Sequence, residues 1–269
     1  MESHTIAQQL GAAGYKTAIS GKWQLTLLGD DLHHPNRLGF DSYCLFGWHQ
    51  GPRYFDPMIF QDGILRQGTN GSYGPDLYVD YLLDFFEENR DRPFFAFYSM
   101  ALCHDVTDDL KEPVPHGPAN RYENYVEMVA SMDAHVGRIV DGLEELSLRH
   151  NTLILFTADQ GFAWGQHGFR AKVAAYDATI RCPFIVSMPS QLPSGKTCAS
   201  PVSGVDVVPT FFSFAGIDLP WEMHGRDLTP LLKKPEKAKK RSVLTVFTGR
   251  KYGSDTDLIP ADLKELRKV

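Results

Sequence analysis

The stretch Leu153-Ile154-Leu155-Phe156-Thr157-Ala158-Asp159-Gln160-Gly161 constrains this chain more than any other. Four apolar residues in a row predict a short strand buried on both faces. The run stops at a carboxylate, a carboxamide and a glycine. In open α/β sheets, ligands collect just beyond the carboxyl ends of the strands. Asp159 and Gln160 therefore stand where a site is placed, and their oxygens suit a hard cation. Taken alone, the string reads more readily as an ordinary turn leaving a strand.

Around it, helical and strand patterns alternate. Met1 to Ala13 carries Ile6, Leu10 and Ala13 at helical spacing, with Ser3 or Thr5 as cap and Gly14 as stop. Tyr15 to Ile19 reads as a strand, followed by Gly21-Lys22-Trp23-Gln24. Residues 26–75, rich in Gly, Pro, Asp and aromatics, read as a long excursion with a hairpin at Asp62-Gly63. Trp48, His49, Arg53 and Tyr54 in it are expected to help form a pocket. Pro75 opens a helix that turns Leu77, Tyr81, Leu82 and Phe85 inward. Phe94 to Tyr98 reads as a second buried strand running toward His104 and Asp105. Arg121 to Leu148 is the strongest helical pattern, with Tyr122, Tyr125, Val129, Met132, Val136, Ile139, Leu143 and Leu146 on one stripe. Phe184 to Val186 is a third buried strand. Val205 to Phe214 is a short helix, and Arg241 to Thr248 a last strand. Such alternation indicates an α/β fold, a three-layer α/β/α sandwich with a mostly parallel sheet.

The bulk numbers narrow the partners. With 27 basic against 33 acidic residues the net charge is −6. Nucleic acid is not the expected partner, and the basic run Lys233 to Lys240 reads as a solvated turn. No apolar run reaches the length of a bilayer span, so no membrane partner is expected. The four cysteines lack zinc spacing and read as free, buried thiols.

Parallel strands would bring three polar ends to one sheet edge: Lys22 and Gln24, His104 and Asp105, Asp159 and Gln160. Lysine ammoniums from Lys22 and Lys172 suit an anion there, and His104 suits protonation of a leaving oxygen. Singly, each has a duller role as a turn or capping residue.

The strings then become specific. Gly14-Tyr15-Lys16-Thr17-Ala18 with Gly21-Lys22-Trp23 resembles the sulfatase motif G-Y-x-T-A-x-x-G-K-W-H. Phe156 to Gly161 resembles the sulfatase F-T-S-D-N-G. His167-Gly168, Lys172, Tyr176, Arg181 and Pro183 match H-G-x-x-x-K-x-x-x-Y-x-x-x-x-R-x-P in register. Asp206, Pro209-Thr210, Ala215-Gly216 and Gly225-Arg226 match later signals of the family. The resemblance implies an alkaline-phosphatase-like fold, here incomplete, and a calcium-dependent sulfuric ester hydrolase whose formylglycine attacks sulfur. By motif position, Asp159 and Gln160 are metal ligands to Ca²⁺. Lys22 and Lys172 bind the sulfate, His104 contacts the ester and assists the leaving group, and Gln24 belongs to the catalytic set. The implied partner is a sulfated small molecule or glycan. Members of the family are often periplasmic, secreted or lysosomal.

The chain departs from the pattern. The nucleophile motif C/S-x-P-S-R is absent, and Ser187-Met188-Pro189-Ser190-Gln191 is a decoy after a different strand. Two aspartates of the metal site are missing with it. Gln24 stands where the motif has histidine, and glutamine hydrogen-bonds but takes no proton near neutral pH. Gln160 replaces Asn, one methylene longer. The expected organisation is a partial catalytic domain at 1–248 and a tail or carboxyl-terminal remnant at 249–269, poorly active or inactive as it stands and with exposed strand edges. The alternatives are a phosphodiester or phosphonate hydrolase of the same superfamily, and a non-catalytic binder of sulfated glycans. The cluster Asp30-Asp31-Leu32-His33-His34 reads as a polar loop rather than a second metal site.

Overall fold

The structure is a computed structural model that describes residues 4–106, 112–118, 121–172, 175–238 and 241–245. The chain falls into two compact units, Met1–His150 and Asn151–Val269. No helix among the described residues is long and apolar enough to cross a membrane.

The first unit starts with α1 (Ile6–Ala12), whose Thr5 cap accepts the Gln8 N–H while the Gln8 side chain reaches back to Thr5. That capping box explains why the helix begins there. Then come β1 (Lys16–Trp23), the single-turn α2 (His34–Arg37), β2 (Ser42–Gly47), the hairpin β3 (Phe60–Gln61) and β4 (Ile64–Leu65), α3 (Gly74–Glu88), β5 (Phe94–Ser99) and α4 (Tyr122–Glu145). The sheet order is β4-β3-β2-β1-β5, with β1 parallel to both neighbours.

Period-two alternation divides β1 between two layers. Ile19 and Trp23 join Tyr43 and Leu45 of β2, Ala7 of α1 and Phe40 in one core. On the other face, the Ser20 hydroxyl donates to the Tyr78 carbonyl of α3, and Phe46 packs on the Tyr78 ring. This unit is therefore a three-layer arrangement around a central sheet.

Several expectations are corrected. The excursion at 26–75 contains β2, whose Tyr43, Cys44, Leu45 and Phe46 are all fully buried; it is a central strand and not loop. β1 runs to Trp23 and not Ile19, so Lys22 lies inside the strand. β5 is an edge strand, only half-buried, with Phe97 50% exposed. On α4 the predicted stripe is mostly half-buried. Tyr122 is exposed, and the residues fully enclosed are Met128, His135 and Leu143.

The second unit holds β6 (Ile154–Thr157), the hairpin β7 (Ala163–Trp164) and β8 (Arg170–Ala171), α5 (Asp177–Ile180), β9 (Phe184–Ser187), α6 (Val207–Ala215) and α7 (Thr229–Lys233). β6 pairs antiparallel with β9, so the parallel pattern ends here. Neither strand is buried on both faces; Thr157 and Ile185 are exposed. Residues 241–245 form no strand, and the rest of the predicted final strand and the tail 249–269 lie outside the described residues.

Buried Asp206 explains two downstream motifs. Its carboxylate accepts the Ser203 and Arg226 N–H groups at 2.9 and 2.8 Å and pairs with the Arg241 guanidinium at 3.0 Å. The Thr210 hydroxyl donates to the Asp206 carbonyl and accepts the Leu228 N–H. Asp206, Thr210 and Arg226 thus fasten α6 to the following loop.

Candidate active site

Three short-range devices position Lys22. The first is Gly21, with φ +102°. A Cβ there would fall 2.0 Å from the Ser99 carbonyl, so only glycine lets β1 and β5 approach this closely. The second is the Ser99 hydroxyl, which donates to the Lys22 carbonyl at 2.8 Å. The third is the Trp48 N–H, which donates to the Trp23 carbonyl at 3.0 Å and carries the β1–β2 ladder one step past β2. Lys22 is in register with Phe46, so Lys22, Phe46 and Trp48 share the α3 face.

That register places the indole of Trp48 among basic groups. The Lys22 ammonium sits 3.9 Å from the ring centroid and the Arg53 guanidinium 4.6 Å away. The rings of His104 and His49 each meet the indole edge-on at 5.3 Å. Both cationic contacts are within cation–π range. Lys22 and His104, predicted from different strand ends, therefore meet on one side chain.

The His104 ring is held at Nδ1, 2.6 Å from the Asp105 carbonyl. A carbonyl only accepts, so Nδ1 carries a proton and Nε2 is the nitrogen that can exchange one. The Tyr54 hydroxyl lies 2.8 and 2.6 Å from the carbonyls of Ala101 and His104 and pins this turn from below. Burial pushes the Tyr54 phenol well above its usual range, so it stays protonated.

Of the residues expected to help form a pocket, Trp48 and His49 line a hollow, while Arg53 and Tyr54 are buried. Arg53 bonds Glu112 through Nε–H at 2.5 Å, and the same carboxylate accepts the Arg53 N–H at 2.6 Å. The Arg53 guanidinium thus lies against the Trp48 ring from beneath. Sequence reading missed Glu112, since nothing local links positions 59 residues apart. Gln24 lies just past β1, exposed, on a hollow of about 220 Å³ that it lines with Leu25, Thr26, Leu27, Trp48 and His49.

In the second unit, Asp159 and Gln160 lie just beyond β6. Asp159 Oδ1 accepts the Gln160 N–H at 2.9 Å, and Oδ2 lies 3.8 Å from the Lys172 ammonium. The Asp159 side chain is 77% exposed. Gly161 is required next to it: a Cβ would meet the carbonyls of Ala178 and Arg181 at 2.4 Å. In the same unit, the rings of His167 and Tyr176 stack at 4.1 Å, and Phe169 packs on Tyr176.

The donor chemistry of Asp159 and Gln160 fits one side of a hard cation: an open carboxylate and a neighbouring amide oxygen. Calcium takes six to eight oxygens, more than these two residues supply. Among the described residues no group of three or more His, Cys, Asp or Glu is placed to hold a metal ion. In the Asp30–His34 cluster, Asp31 pairs with Arg37, which holds its carboxyl below the usual range, and His34 packs edge-on against Trp23.

The order of motifs agrees with a known family. The sulfatase family model matches residues 2–217. The chain belongs to the sulfatase family. Among relatives, an N-acetylglucosamine-6-O-sulfatase of Bacteroides thetaiotaomicron is 24% identical over 88% of this chain and 58% of its own length. A steryl-sulfatase of Mus musculus is 36% identical over 85% of this chain and 50% of its own. The chain thus spans about half the length of these sulfatases. A solved structure in complex with its substrate D-glucosamine-2-N,6-O-disulfate superposes with TM-score 0.68 at 22% identity, over 87% of this chain and 65% of that one. A phosphonate monoester hydrolase of Silicibacter pomeroyi superposes less well, with TM-score 0.57 at 20% identity over 89% and 63%. These likenesses give the fold: alkaline-phosphatase-like, α/β, and incomplete in this chain. Sulfatases use a metal ion.

Proposed function

We propose that this chain is part of the catalytic domain of a sulfuric ester hydrolase and contributes its sulfate-binding side chains. One observation supports this most: Lys22 and His104, from the ends of β1 and β5, converge on the indole of Trp48. Residues 1–248 are then a partial catalytic domain and 249–269 a tail or carboxyl-terminal remnant.

The roles come from side-chain chemistry. Lys22 and Lys172 donate ammonium protons to sulfate oxygens. With Nδ1–H held by the Asp105 carbonyl, protonated His104 presents Nε2–H to the bridging ester oxygen and gives its proton to the departing alcohol. Asp159 and Gln160 would hold Ca²⁺ from one side. In sulfatases a formylglycine at such a metal supplies the nucleophile; this chain carries no string that would form it. Gln24, exposed beyond Lys22, offers a hydrogen bond at that position and no base.

The substrate class is a sulfated glycan or small molecule. Binding without turnover is therefore expected from the chain by itself. Calorimetry with glucosamine 6-sulfate tests this: Lys22→Ala should weaken binding by roughly 10- to 100-fold, the loss of one charge-assisted hydrogen bond of about 1.5–3 kcal/mol. Equal binding by the variant overturns the reading. A phosphonate hydrolase is the second reading, supported by the weaker structural likeness alone; tighter binding of phenyl phosphonate than of phenyl sulfate would favour it.

A further inference from the structure

Trp48 faces two ways, and its second side is not accounted for by sulfate binding. One set of contacts holds Lys22, His104 and Arg53. The same side chain, with His49, forms one wall of the hollow of about 220 Å³ closed by Gln24, Leu25, Thr26 and Leu27. Leu25 and Leu27 are 65% and 51% exposed there, although both are large and apolar. Neither belongs to the buried core. Exposed apolar residues grouped around an aromatic ring, with polar groups at the rim, mark a binding surface more often than a structural one.

We propose that this hollow receives the ring of the sulfated alcohol, and that Trp48, Leu25 and Leu27 set specificity for that ring. The inference rests on the sulfate-binding role proposed for Lys22. The Lys22 ammonium lies against the Trp48 ring and the same side chain lines the hollow, so an ester whose sulfate lies at Lys22 has its alcohol within reach of it. The ligand chemistry is a six-membered ring with an apolar face, aryl or pyranose. Leu25, Leu27 and the indole cover that face. Gln24, Thr26 and His49 offer hydrogen bonds to ring substituents. Trp48 also positions Lys22, because an indole face is the strongest aromatic site for an ammonium.

The test measures binding of sodium sulfate and of 4-nitrophenyl sulfate to the 269-residue chain by calorimetry. The wild type should bind the aryl ester more tightly than inorganic sulfate. The double variant Leu25→Ser/Leu27→Ser should lower the ratio of aryl to inorganic affinity by about tenfold, the loss of two exposed apolar contacts. Ile64→Ser, an equally exposed position on β4, should leave the ratio unchanged. Trp48→Leu should weaken both probes, and Trp48→Phe, which keeps an aromatic face for the Lys22 ammonium, should restore part of the inorganic sulfate binding. Replacing the aryl ester by glucose 6-sulfate separates the two ring sources; the tighter binder names the class. No preference of the wild type for the aryl ester, or an unchanged ratio in the double variant, overturns the inference. Sulfate binding insensitive to Lys22→Ala defeats the sulfate-binding role instead, so the two failures are distinguishable.

Discussion

Arg53 carries its charge to a place where its side chain is 1% exposed, and Glu112, at 3%, is its partner. Removing one member of such a pair leaves an uncompensated buried charge, which costs about 3–5 kcal/mol. Glu112→Ala should lower the unfolding free energy by about that amount, and it should loosen Trp48, which rests on Arg53. Arg37 and Asp31 form an ion pair too, but at the surface, where solvent screens the attraction and such pairs add little. Urea unfolding should therefore show a much larger loss for Glu112→Ala than for Arg37→Ala; equal losses would show that the Arg53 charge has another partner of equal strength. Gly21→Ala belongs at this scale as well. Its Cβ would lie inside the Ser99 carbonyl, so β1 and β5 must separate, and Lys22 moves with them. The variant should lose sulfate binding even where it remains folded by circular dichroism.

Among the elements, the β3–β4 hairpin has Asp62 at φ +48° and Gly63 at φ +89°. Burial raises the Asp62 carboxyl above its usual value. A raised carboxyl means the folded state holds its proton more tightly than the unfolded chain does. Ionised Asp62 thus costs stability, a cost absent at low pH and incurred as pH rises through the carboxylate range. Asn tolerates a left-handed backbone and still accepts from the Tyr43 N–H that Asp62 holds at 2.6 Å. Asp62→Asn should raise the melting temperature at pH 7, and the gain should vanish near pH 3; a loss at pH 7 would show that the charge is needed. β5 is the sheet's edge and carries half-exposed Phe97. Exposed apolar edges template association, so Phe97→Lys should increase the soluble fraction on expression, and no change would mean this edge is not the aggregating surface.

Across the whole molecule, buried acids of high pKa dominate the response to alkali. Burial pushes the thiols of Cys44 and Cys103 from about 9 up to about 12, and it raises the phenols of Tyr54, Tyr78, Tyr81 and Tyr98 as well. All shift the same way: the unfolded chain gives up these protons first. Stability from this source is complete below about pH 9 and falls as pH rises from 9 toward 12. The urea midpoint should be flat from about pH 7 to 9 and then drop. A flat profile to about pH 11 would mean these groups ionise without unfolding.

The sequence by itself determined the local grammar and the chemistry. Thr5 and Gly14 bound the first helix, Asp62-Gly63 marks a hairpin, and the spaced strings around Lys22, Asp159 and Lys172 carry the family. Each of these depends on neighbours within a few residues. What only the tertiary structure decided is who pairs with whom. Tyr43 to Phe46 became a central strand because β1 and β3 flank it, and nothing in its own string distinguishes that from a loop. β6 met β9 antiparallel, and Arg53 found Glu112 across 59 residues. Trp48 gained its place beside Lys22 from strand register. Register and burial are non-local: they are set by which surfaces remain to be covered once the chain has closed on itself.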